Sequence, residues 1–413
     1  MHMRMVYRRL NKKYIKHMRK TSFLSSSQKI AVKKLVYPLY RFVTCNKKIN
    51  THYSYLVFCK PGCHTYFGYY DVSPFQGEKI VYLEREEHSS VCKVVLNNVH
   101  NSEKQYITDS RAWNWQQGNR LRWLPNSNNV ISFNDYIDGK YINRILDLNT
   151  KEEKRLNWPL YDIDCNGRIG ITLNFERLGV KRPGYGYTCE PYYEGDLWND
   201  GISIIDIEKN QLVKTITYKE LSDNIKKADD VHHFYLNHLA FSPDGSKFLF
   251  FWIDEADGYH QASLGVYDIA NDELIPLETE KKASHYVWDG NEEIICTLLE
   301  NIRFARYYRI NVKERSKKLI CNNSLPFDGH PSIYTKDIFL TDTYPDTRGF
   351  QHIYLVNEKD DTKEEVIKIY SIPMLNLEMR TDLHPRLSED KKYVAFDSSH
   401  DSLRKLLVLS LDK

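Results

Sequence analysis

A chain of 413 residues with 41% hydrophobic and 27% charged side chains has the material for a large core and is too apolar for a disordered polymer. Its formal net charge of +3 conceals a split: residues 1–50 hold 14 Lys or Arg and no acid, which leaves 44 basic against 55 acidic residues elsewhere. No apolar run approaches 18 residues, so no transmembrane helix is expected.

The first 50 residues read as a basic arm. A Ser-rich break, "TSFLSSSQ", separates a cationic stretch from "KIAVKKLVYPLYRFV", where Ile30, Val32, Leu35 and Val36 stand beside paired lysines. That pattern fits a short amphipathic helix lying on an anionic membrane surface or against a partner. Nucleic acid is not expected, because no reader motif accompanies the charge. The opening lacks the apolar core of a secretory signal. Eight cysteines are scattered without a CxxC pair, and "CKPGC" has the wrong spacing for a zinc knuckle. A reducing, cytoplasmic setting is expected, with the arm allowing peripheral membrane association.

From residue 51 the pattern changes to short strands that repeat. The unit is an apolar strand, a turn rich in Asp, Gly, Pro or Asn, a second apolar strand, a loop and a third strand ending near "DI" or "DL". In chain order it begins with "YFGYYDVSPFQGEKIVYLE", "QGNRLRWLPNSNNVISFNDY" and "LYDIDCNGRIGITLNF". "NHLAFSPDGSKFLFFWID", "SHYVWDGNEEIICTLL", "GHPSIYTKDIFLTD" and "LHPRLSEDKKYVAFD" follow. Seven units at roughly 40 to 55 residues apiece predict an all-β, seven-bladed β-propeller over residues 51–413. The last unit shows only three clear strands, and "YSYLVF" (residues 53–58) is expected to supply its fourth.

Four consecutive units open on a histidine: His238, His285, His330 and His384, spaced by 47, 45 and 54 residues. One register in four blades places all four near one mouth of a propeller channel. Tyr69 in "GYYDVSP" and Arg120 in "QGNRLRWL" hold the matching places in the first two units. Imidazoles with carboxylate or amide neighbours suit a divalent transition metal, and soft thiolates are absent from the set.

The motifs "NHLAFSPDG", "SHYVWDG", "GHPSIY" and "LHPRLSEDKKYVAF" resemble the repeats of oligogalacturonate lyase and related propeller proteins. The resemblance implies a divalent metal, usually manganese, held by histidines and a glutamine at the channel mouth. It also implies an acidic, uronic-acid saccharide as partner, whose carboxylate the metal holds while β-elimination cleaves the 4-linked sugar. On it, His285, His330 and His384 are the metal histidines, with Gln351 in "FQHIYLV" as the glutamine. His238 matches the "NH" motif and joins Tyr69 and Arg120 as catalytic candidates. There is one departure: where the lyases carry a basic residue on the third strand of the "NH" blade, this chain has Leu264. That leaves a second expectation open, a non-catalytic glycan- or protein-binding propeller in surface-polysaccharide biosynthesis.

Two further stretches are candidate substrate contacts. "KRPGYGY" brings Arg182, Tyr185 and Tyr187 into a long excursion of the third unit, and loops on a rigid scaffold commonly carry binding. "EMRTDLHP" sets Arg380 and Asp382 beside His384, where the carboxylate could orient an imidazole. His232, His233 and His260 read as rim residues, and Asn134 and Asp135 as a strand-end turn. Phosphate loops, GxSxG elbows, HExxH and dinucleotide fingerprints are absent.

Overall fold

The computed structural model describes residues 48–412 apart from 101–102, 259, 302–303, 373–376 and 402, together with isolated positions between 28 and 38. The basic arm expected over residues 1–50 thus lies outside the described residues, save for its last three and those isolated positions.

The described chain is mostly antiparallel β-structure, in six hydrogen-bonded sheets. Three have four strands, two have five and one has seven. The alternation of apolar strand and polar turn produces them directly. In Lys247–Asp254 every residue but the first is buried, and the preceding "SPDG" closes a turn in which Gly245 takes φ +72° and donates its N–H to the Ser242 carbonyl. "SEDKK" repeats the device, with Ser388 Oγ on Asp390 and Lys391 at φ +62°.

The seven-stranded sheet contains two of the expected units. The 16-residue strand Glu273–Trp288 pairs with Gln261–Asp268 along its first part and with Glu293–Asn301 along its last. In the first sheet, Cys63–Tyr66 and Phe75–Gln76 both pair with Lys79–Glu86. The segment between them, which carries Tyr69, is free to leave the sheet. The third sheet is interrupted by a short helix, Phe175–Lys181, capped by Asn174, whose side chain accepts from Arg177 N–H. The loop after it returns so closely that a Cβ on Gly186 would lie 2.1 Å from the Gly179 nitrogen.

Segments from opposite ends of the fold meet at its last two sheets. Tyr55–Phe58 pairs with Leu403–Ser410, as expected for "YSYLVF", and Ile49–Asn50 adds to the edge of Thr362–Tyr370. Apolar clusters fill the spaces between neighbouring sheets. Among the described residues, seven cysteines are free thiols, and no helix is long and apolar enough to cross a membrane.

Candidate metal and substrate site

Backbone geometry supports the shared register. His238 and His384 adopt left-handed φ of +56° and +51°, and Arg120 adopts +56°. Side chains other than glycine rarely accept that conformation, which persists only where the surroundings enforce it. His238 sits at a register slip within Phe234–Phe241, and His285 at another within Glu273–Trp288. His330 and His384 stand two residues before Ser332–Thr335 and Arg386–Leu387.

The four histidines converge. Ring centroids of His285 and His330 are 4.0 Å apart, and those of His330 and His384 are 4.3 Å apart. Tyr69 fills the middle, 4.8 Å from His384 and stacked at 4.9 Å on His238. All four imidazoles are buried, His384 to 1% exposure.

Three of them are held alike through Nδ1. His285 Nδ1 meets Asp328 Oδ1 at 2.9 Å, His330 Nδ1 meets Asp342 Oδ1 at 2.7 Å, and His384 Nδ1 donates to the Gly68 carbonyl at 2.9 Å. An acceptor on Nδ1 fixes the proton there and turns Nε2 outward as a ligand or base. The His384 Nε2 is buried with no partner among the described residues. Burial lowers the pKa values of His285 and His384; at His285 it outweighs the opposing charge of Asp328, and the charge of His330 adds to the lowering at both. Burial opposes charge on His330 too, but Asp342 outweighs it and the pKa is raised. His330, His384 and Asp382 each offer a donor atom within 4.8 Å of the others, a set that fits a divalent cation.

His238 differs. The Asn237 amide lies 3.3 Å from its Nε2, and Asn237 Oδ1 is already occupied by Gln117 Nε2 and the Tyr161 hydroxyl. The amide therefore donates to Nε2, leaving the proton on His238 Nδ1, which is buried without a partner.

The other expected residues divide. Tyr185 lies in the site, 6.2 Å from His238, with Arg182 5.3 Å above its ring and Arg380 Nη2 3.4 Å from its hydroxyl. Arg380 also forks onto Asp382, at 2.8 Å from Oδ2. Tyr187 stacks on Phe175 at 4.5 Å and accepts from Asn134, away from the histidines. Arg120 is bound to Asp71 at 2.9 and 3.1 Å and to the Tyr161 carbonyl. Gln351 donates to the Thr381 carbonyl while its Oε1 is buried and unpaired. Leu264 is fully buried, paired across the sheet with Phe251 and Glu278.

Sequence reasoning did not find Asp328, Asp342 or Tyr70. Tyr70 adjoins a residue it did select, and its ring lies 5.0 Å from His330.

The sheets that carry this cluster share their fold with β-propeller proteins. No protein-family model matches the chain, and no curated protein matches it in sequence. Solved structures do match its fold. Oligogalacturonate lyase in complex with manganese aligns over 88% of this chain and 94% of its own, at TM-score 0.66 and 15% identity. Oligogalacturonate lyase from Vibrio parahaemolyticus aligns over 88% and 98%, at TM-score 0.61 and 12% identity. The β-propeller domain of the Trilobed protease from Pyrococcus furiosus aligns over 84% and 96%, at TM-score 0.52 and 11% identity.

Proposed function

We propose that this chain is a metal-dependent lyase that cleaves an acidic, uronic-acid saccharide by β-elimination on a seven-bladed propeller. The fourth and fifth blades share the strand Glu273–Trp288. The observation that carries the reading is the row of three histidines anchored through Nδ1 beside Asp382, with an unpaired Nε2 on His384. The likeness to an oligogalacturonate lyase in complex with manganese supports it.

His330, His384 and Asp382 would hold the cation. When bound there, a divalent ion such as manganese supplies a Lewis acid that draws charge from a uronate carboxylate and acidifies the proton on C5. His285, neutral and oriented by Asp328, takes that proton at Nε2. The C5–H electrons become the C4–C5 double bond as the C4–O4 bond breaks, and the departing oxygen takes a proton from the Tyr69 hydroxyl, which has no partner among the described residues. His238, through its Nδ1–H, and Arg182 stabilise the charge that develops on the sugar. This arrangement gives the task of the basic residue missing at Leu264 to His285.

Metal content and turnover test the scheme separately. Protein purified without chelator should carry a divalent metal, and uronic-acid polysaccharides should yield the ultraviolet absorbance of an unsaturated uronate. His330→Ala and Asp382→Asn should lose the metal. His285→Ala should retain it and lose roughly 100-fold or more in turnover. Wild-type protein with neither metal nor product would end the lyase reading, and loss of metal in His285→Ala would return that residue to the ligand set.

A further inference from the structure

Arg404 is a buried cation that no carboxylate pairs among the described residues. It is 2% exposed, and its guanidinium hydrogen bonds go to the backbone carbonyls of Trp115, Met379 and Arg380. The carboxylates whose charges reach it, Asp397 and Asp382, are taken by Arg386 and Arg380. Its Nε–H is buried and unpaired. Buried charges are normally paired, because taking an ion out of water costs several kcal/mol.

Other unpaired groups surround it. His64 Nδ1 accepts from the Arg404 backbone N–H at 3.2 Å, which puts the imidazole proton on Nε2, and that atom is buried with no partner. The Tyr66 hydroxyl, two residues along the same strand and so on the same face, is also buried and unpaired. These side chains gather round Trp115: His64 at 4.9 Å, Tyr66 at 5.7 Å and the Arg404 guanidinium at 5.5 Å from its ring. Arg85 closes the group at 4.9 Å from the same ring, and its side chain donates to a backbone carbonyl, that of Ser89. The unpaired atoms of His64, Tyr66 and Arg404 can all donate, two cations flank them, and both carboxylates whose charges reach Arg404 are already engaged.

We propose that His64, Tyr66, Arg85 and Arg404, packed round Trp115 between the first and last sheets, form a binding site for a small oxyanion of the carboxylate or phosphate class. The oxyanion accepts from His64 Nε2–H, the Tyr66 hydroxyl and Arg404 Nε–H, and balances the buried guanidinium. The burial of His64 together with the charges of Arg404 and Arg85, which push its pKa down to about 4, is the electrostatic counterpart of this arrangement. The site shares no residue with the histidine row and does not depend on the lyase reading.

The test uses the full chain in chloride buffer at constant ionic strength, titrated with inorganic phosphate or with acetate, followed by thermal unfolding and calorimetry. A saturable rise in Tm with a binding heat is expected for at least one of the two. Tyr66→Phe and Arg85→Gln, which leave the Arg404 backbone contacts intact, should unfold like the wild type without oxyanion and bind at least about tenfold more weakly. An equal response in wild type and both variants, or a response to ionic strength alone, would overturn the proposal.

Discussion

Asp342 receives the N–H and Nδ1 of His330 on one oxygen and the N–H of His384 on the other, so a single carboxylate ties together two histidine-bearing segments. Replacing it with Asn keeps the shape and removes the charge. Asp342→Asn should fold with a loss of about 1–3 kcal/mol. The His330 pKa, raised because Asp342 outweighs burial, should drop below the ordinary histidine value, read as an NMR titration shift. The histidine register was legible in the sequence because it recurs at blade spacing, and the structure brings all four rings together. The carboxylates were not legible. Asp328 is two residues from His330 in the chain yet orients His285, from the preceding unit. Arg120 was legible as a position and not as a role, since its engagement with Asp71 is a contact between distant loops.

At the scale of elements, turn chemistry was the most readable signal. Ser, Asp and a left-handed residue recur at 242–245 and 388–391, with Gly in one and Lys in the other. Where an ordinary side chain occupies such a place, glycine should do better. Lys151 is exposed at φ +66°, and its N–H closes a turn on the Asp147 carbonyl. Lys151→Gly is expected to raise unfolding free energy by up to about 1 kcal/mol in urea titration, since relief of the left-handed strain exceeds the entropic cost of glycine. The helix Phe175–Lys181 escaped notice because seven residues show too little periodicity. Its formation rests on the Asn174 cap and on buried Phe175 and Leu178, which a local reading cannot supply. The merger of two units through Glu273–Trp288 was hidden for a related reason: "LETEKKASHY" reads as a charged loop, yet the backbone continues as a strand.

At the scale of the molecule, buried histidines set the acid limit. His64 and His400 are 2% and 6% exposed, and burial first, then neighbouring cations, lowers each pKa to about 4. Above about pH 6.5 both folded and unfolded forms are neutral, so nothing is lost. Between 6.5 and 4 the unfolded chain takes up protons that the folded one refuses, and stability falls as pH falls, by on the order of 3 kcal/mol per histidine. Denaturation midpoints in oxyanion-free buffer should drop steeply over that window, and His400→Gln should flatten the slope. The pairing of an early strand with the last one is the other property at this scale. A chain starting after Phe58 loses the partner of Leu403–Ser410 and is expected to aggregate on size-exclusion chromatography. The same pairing has a consequence for synthesis. A ribosome releases Tyr55–Phe58, with Tyr55, Leu56 and Val57 all more than a third exposed even when paired, long before residues 403–410 exist. For most of translation the nascent chain therefore carries a sticky strand with no mate, and its yield in a cell depends on how well that strand is shielded until the last sheet arrives.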